Sequence, residues 1–222
     1  MISQKDPGAQ DRVSESGEEA HPVPPRTALG LRIIAAAGEI LDETGSESSV
    51  TLRAIARRAG VSAPAIYGHF PNVPSILLAV VQNAFAELDD ALEIAVRSFD
   101  ERTSAPTRLR AIAAAYLAFA ESRPQRYRLM FGGLWTATQA IESSAVTRAD
   151  VESLGQATLL RLAMAVQECV DVGASSSTEP STDAVALWLG LHGLAHQRLV
   201  TAAFPWPRDI EERLVTALAH LD

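Results

Sequence analysis

The sequence predicts an all-α fold in two parts, a small N-terminal helix-turn-helix unit followed by a larger helical bundle, and three observations support this. Apolar residues recur at helical spacing from residue 28 onward, with no clean period-2 strand. Gly- and Pro-bearing stretches ("RTSAPT", "SRPQ", "FGG", "GASSSTEPST" and "FPWPRD") divide that pattern into helix-sized pieces. Two short helical segments joined through Gly60 hold three arginines and no acidic residue between positions 50 and 72, in a chain whose net charge is −8. A chain of 222 residues, 47% of them hydrophobic, is long and apolar enough to bury a substantial core.

Residues 1–26 are rich in Pro, Gly, Ser, Glu and Gln and offer almost no apolar surface to offset the entropy of ordering them, so a disordered tail is expected. From Ala28 to Thr44 the residues Leu31, Ile34, Ala35, Ala37, Gly38 and Leu41 follow a helical repeat that Gly45 ends. Thr51 then stands as the N-cap of "LRAIARRA", with Ile55 and Ala59 facing inward and Arg53 and Arg57 sharing another face. Gly60 closes that helix, and Val61 tucks into the corner. Ser62 caps the next helix, which admits Pro64 in its first turn and runs through "APAIYGHF" until Pro71 stops it. Ile66 and Phe70 face the core of this unit, which turns Ala63, Tyr67 and His69 the other way. Residues 27–72 thus form a helix-turn-helix unit, and residues 73–222 the bundle. "GASSSTEPST" is expected to be a mobile loop.

Composition and motifs exclude several classes. The N-terminus has no apolar core of the secretory type, and the longest apolar run, residues 184–195, is too short for a membrane span. The single cysteine, Cys169, suits a reducing compartment, so a cytoplasmic location is expected. There is no G-x-S-x-G elbow, phosphate loop, dinucleotide fingerprint or H-E-x-x-H, so no enzyme and no cofactor are expected. The acidic total disfavours sequence-blind binding to nucleic acid, but the arginine-bearing stretch runs against that trend, as an electrostatic footprint would. Small residues at Ala63, Pro64 and Ala65 let the second short helix enter a major groove about 12 Å wide, with Tyr67 and His69 at its phosphate rim.

The run "RIIAAAGEILDETG", then "VTLRAIARRAGVSAPAIYGHFPN", then "SILLAVV" resembles the DNA-binding domain of the tetracycline repressor (TetR) family over about residues 29–80. Ala36, Gly45, Thr51, Ile55, Ala56, Gly60, Val61, Ser62, Tyr67, His69 and Phe70 carry the resemblance. It implies that Thr51 and Arg53 approach phosphates, that Ser62, Ala63, Pro64 and Ala65 face bases, and that Tyr67 and His69 grip the backbone. Val73 stands where the family usually has a lysine. The resemblance also implies a C-terminal domain that dimerises and binds a small effector, and hence a homodimeric repressor released from a near-palindromic operator. The pattern of Trp188, His192 and Gly193 is similar to a W-HG subgroup of the family.

Within the bundle, Gly190 and Gly193 permit close approach of another helix. With Ile210, Leu214 and Leu218 they suggest a four-helix dimer interface. Tyr116, Phe119, Tyr127, Met130, Phe131 and Trp135, joined by Trp188 and His192, are candidates to line an apolar pocket, with ordinary core packing as the alternative for each. His192 and His196 have the i, i+4 spacing of two metal ligands but no evident third, so a metal-sensing regulator is one alternative and a protein-binding helical adaptor another.

Overall fold

The computed structural model describes residues 27–100, 102–131, 141 and 146–222. The tail expected over residues 1–26 and the candidate Trp135 lie outside the described residues. Helix α1 (Ala28–Thr44) begins where the Thr27 hydroxyl accepts the Gly30 N–H and ends at Gly45. Its buried face is Ile33, Ala36, Ala37, Ile40 and Leu41. Leu31 and Ala35, although part of the apolar repeat, are exposed, because the two buried isoleucines at positions 33 and 40 set which face of this alanine-rich helix turns inward.

A single 3₁₀ turn (Glu47–Ser49) leads to α2 (Leu52–Ala59), whose first turn is capped by Thr51 accepting the Ala54 N–H. Gly60 has a φ of 65°, a left-handed conformation that ends α2 at once and starts α3 (Ala63–Tyr67) only three residues later. Two expectations for α3 need correction. Ser62 occupies the N-cap position without a side-chain capping bond, and the helix ends at Tyr67, before Pro71 is reached. The Ile66 carbonyl accepts the N–H of both His69 and Phe70 at 2.9 Å, so the chain closes in a tight turn over one acceptor.

Helix α4 (Val73–Arg97), N-capped by Asn72, spans about 37 Å at 1.5 Å per residue. Ile76, Leu77, Val80 and Val81 complete the N-terminal core around Ile55, Ile66 and Phe70, and Leu88 and Leu92 enter the second core. That second core is built with α5 (Ala105–Ser122), α6 (Pro124–Phe131), α8 (Gln156–Asp171), α9 (Pro180–Val200) and α10 (Ile210–Leu218). The short α7 (Arg148–Glu152) precedes α8 and carries a reciprocal capping box between Thr147 and Asp150. Cys169 is fully buried in this core, and burial pushes its thiol pKa up, so it acts as a small hydrophobe.

Among the described residues the only extended pairing is one bridge, Ser175 to Leu221. That bridge overturns the expected mobile loop. Ser176 N–H donates to His220 O at 2.9 Å and Ser175 Oγ–H to Ala219 O at 2.7 Å, which pins residues 175–176 to the end of the chain.

Helix α6 straddles both cores: Leu129 is buried in the N-terminal one and Tyr127 in the other. Arg126 of α6 lies across Gly38 of α1, where a β-carbon would stand 2.7 Å from its guanidinium. Its Nε–H reaches both carboxylate oxygens of Asp42, at 3.1 and 2.9 Å.

Candidate nucleic-acid interface and ligand cavity

In the N-terminal unit, burial on one side of α3 decides what the other side shows. Ile66 is 0% exposed and Phe70 1%, whereas Tyr67 between them is 58% exposed, and Ser62 and Pro64 are exposed beside it. Ala65 is half-buried. Ala63 is half-buried too and packs on the N-terminal core, so it shows less of itself outward than expected. On α2, Arg53 and Arg57 stand one turn apart, exposed and without an ion pair among the described residues.

The third arginine behaves differently. Arg58 hydrogen-bonds Glu43 at 2.8 and 2.5 Å and Glu39 at 3.2 Å, tying α2 to α1, and its bond to Glu43 holds that carboxyl below the usual range. The basic footprint therefore reduces to Arg53 and Arg57.

Thr51 is exposed, but its hydroxyl oxygen already accepts the Ala54 N–H, which leaves the hydroxyl proton free to donate. His69 is half-buried with Nδ1 3.3 Å from Thr27 Oγ1, and that oxygen accepts from Gly30 N–H. Thr27 Oγ1 and Nδ1 share this hydrogen bond, which leaves Nε2 for an outside partner. Val73 is half-buried against the N-terminal core, so a packing role explains a valine there.

In the second core the described aromatic residues come together. The Tyr116 and Tyr127 hydroxyls are 3.3 Å apart, and the Tyr127 hydroxyl is 2.6 Å from His192 Nδ1. Burial pushes the Tyr116 phenol up to about 12 and Tyr127 higher still, while burial, then the neighbouring His196, pushes His192 down. Both phenols therefore keep their protons, and the Tyr127 hydroxyl shares a hydrogen bond with a neutral imidazole. Tyr116, Phe119 and Tyr127 are buried core residues, Met130 packs against them, and His192 stacks on Trp188 with ring centroids 5.8 Å apart. Of the expected set, Phe131 and Trp188 line a cavity of about 270 Å³. Its other apolar walls are Phe85 and Leu88 of α4, Leu154, and Leu159 of α8. Gly155 is needed at its edge, since its φ is 74° and a β-carbon there would stand 2.9 Å from Phe85.

A model of the tetR family of bacterial regulatory proteins matches residues 33–80, and one of the tetracyclin repressor-like C-terminal domain matches residues 109–221, more than half of the chain. The chain belongs to the TetR family. Members of this family are DNA-binding transcription regulators and not enzymes.

The HTH-type transcriptional activator FasR of Mycolicibacterium smegmatis is 35% identical over 107 residues, 48% of this chain and 47% of its own. The nucleoid occlusion factor SlmA of Vibrio cholerae is 31% identical over 100 residues, 45% of this chain and 50% of its own. The TetR-family chain thus spans about half the length of the curated relatives it matches. A solved structure from Rhodococcus sp. RHA1, of a protein of unknown function, superimposes with a TM-score of 0.68 at 27% identity, covering 88% of this chain and 93% of that one.

On α9 of the TetR-family chain the two glycines have different surroundings. Gly190 does admit a close neighbour, but from the same chain: a β-carbon there would meet Leu218 at 2.6 Å and Leu214 at 3.1 Å. Ile210, Leu214 and Leu218 are half-buried against the subunit's own core, so they and Gly190 form the α9–α10 contact. Gly193 faces open space, with nothing within 4 Å of a β-carbon. One side of α9 is open: Val185, Leu189 and Val200 are exposed on it, as are Leu160 and Met164 on the neighbouring α8. Their i, i+4 spacing was the available signal, but an apolar helix read alone does not reveal which of its sides the chain itself covers. The His192 and His196 rings stack at 6.5 Å, yet Nδ1 of His192 is committed to Tyr127, and no group of three possible ligands occurs among the described residues.

Proposed function

We propose that this TetR-family protein is a homodimeric, effector-responsive repressor that reads a near-palindromic operator with α3. The observation that carries the reading is the exposed Tyr67 between two fully buried neighbours, in a unit whose two uncompensated arginines lie on the adjoining helix. Ser62, Ala63, Pro64 and Ala65 present a low surface to base edges, and Thr51, Arg53, Tyr67 and Nε2 of His69 supply phosphate contacts around it. The exposed apolar residues of α8 and α9, with Gly193 among them, pair with their copies about a twofold axis, and the two α3 helices then meet major grooves about 34 Å apart. An effector in the cavity beside Phe131 and Trp188 shifts the population away from the DNA-competent spacing, by no more than its difference in affinity for the two forms. No helix among the described residues is long and apolar enough to cross a membrane, which supports a place in the cytoplasm beside the DNA.

Tyr67→Ala tests the interface. Operator affinity falls about tenfold, or about 1.4 kcal/mol, while helical content and oligomeric state are unchanged, because the phenol is outside the core. Titration of labelled operator at fixed salt reads the first, and circular dichroism with sedimentation the second; unchanged affinity removes Tyr67 from the interface. FasR is named an activator, so the sign of regulation is read from a reporter fused to the bound promoter, where repression requires expression to rise when the gene is deleted.

A further inference from the structure

We propose that the cavity between α4, α6, α8 and α9 takes an apolar molecule carrying a positive charge, its body against Phe85, Phe131 and Trp188 and its cation beside Glu152. The assignment rests on the reading of this cavity as the effector site. Three aromatic side chains meet in about 270 Å³, and the negative π faces of such rings attract a cation held within about 6 Å. Phe131 makes an edge contact with Phe85 at 5.5 Å and a tilted one with Trp188 at 6.1 Å, so the three rings form one connected wall.

The charges decide the class. Glu152 is the single charged residue lining the cavity among the described residues, and it has no ion pair there. The Gln156 amide Nε2–H is committed to the Glu152 carbonyl at 2.9 Å, and His192 behind Trp188 is neutral. One feature opposes a cation: α8 opens at Gly155 without a side-chain cap, and a helix N-terminus carries about half a positive charge. Glu152, which lines the same cavity, sets a whole negative charge against that half. An anionic ligand would have to approach that carboxylate with no base among the described lining residues to compensate.

Calorimetric titration of the full-length protein with benzyltrimethylammonium, its uncharged isostere neopentylbenzene, and decanoate tests the assignment. The cation is expected to bind about tenfold more tightly than the isostere, and decanoate more weakly than either. Glu152→Gln removes most of that preference by weakening the cation alone, and Trp188→Leu weakens cation and isostere together. Equal binding of cation and isostere, a preference for decanoate, insensitivity to Glu152→Gln, or no binding of any probe overturns the proposal. Operator affinity measured with the cation bound separates the two readings: tight, Glu152-dependent binding that leaves operator affinity unchanged removes the effector role and keeps the ligand class.

Discussion

Leu189→Arg is expected to leave each subunit folded and to separate the proposed dimer. Leu189 is 55% exposed within the subunit, so a guanidinium there is solvated in the monomer and costs the fold little. Across a twofold interface each substitution occurs twice, and each arginine would be desolvated against the apolar side chains Leu160, Met164 or Val185. A penalty of about 3–5 kcal/mol follows, enough to raise the dissociation constant at least about a hundredfold. Operator affinity collapses with it, since one subunit reaches only one half-site. Gly193→Leu acts in the same direction by bulk, because nothing in its own chain opposes the new side chain. Sedimentation velocity decides the matter: a stable Leu189→Arg dimer with unchanged operator affinity places the interface elsewhere.

Phe70→Ala has the second large effect, and it acts on stability. The ring is 1% exposed and closes the N-terminal core against Ile55 and Ile66, so its loss removes the transfer free energy of the side chain and leaves a cavity. The cost is about 3–5 kcal/mol, a large part of the total stability of a domain this size. Urea denaturation is expected to show the midpoint displaced with an unchanged slope. A loss below about 1 kcal/mol would mean that α3 and α4 collapse into the vacated space. Set beside Tyr67→Ala, the variant separates two ways of losing the operator: one through a missing contact, the other through a missing platform.

How much of this was legible in the sequence depended on how local the physics was. The cap at Thr51 and the left-handed turn at Gly60 lie within a few residues of the groups they satisfy, and both occur as read. Ile66 and Tyr67 of α3, and Phe70 in the turn after it, face the sides that the sequence predicts, because so short a segment has only two sides to choose from. Arg58 was counted with the basic patch because its partners, Glu39 and Glu43, lie on another helix. Similarly, nothing in "DAVALWLGLHGLAHQRLV" states that α10 covers the Gly190 side and leaves the Leu189 side open. The aromatic cluster was found, but its cavity was not, since Phe85, Leu154 and Leu159 reach it from three separate segments and carry no motif.

The way α4 and α6 each serve both cores has a calorimetric consequence. Ile76, Leu77, Val80, Val81 and Leu129 belong to the N-terminal core yet lie beyond residue 72, on helices whose other ends are held by Leu88, Leu92 and Tyr127. Neither core can melt without stripping apolar surface from the other, and the Arg126–Asp42 pair across Gly38 adds a further tie. Heating is therefore expected to give one heat-absorption peak in which calorimetric and van't Hoff enthalpies agree, in place of the two transitions of a beads-on-a-string protein. A fragment ending at residue 72 would show no cooperative transition, whereas one reaching through α6 would recover it. The same shared helices give a small molecule held by Phe85 and Phe131 a physical route to α1, because Phe85 stands one turn beyond Val81 on α4 and Phe131 two residues beyond Leu129 on α6.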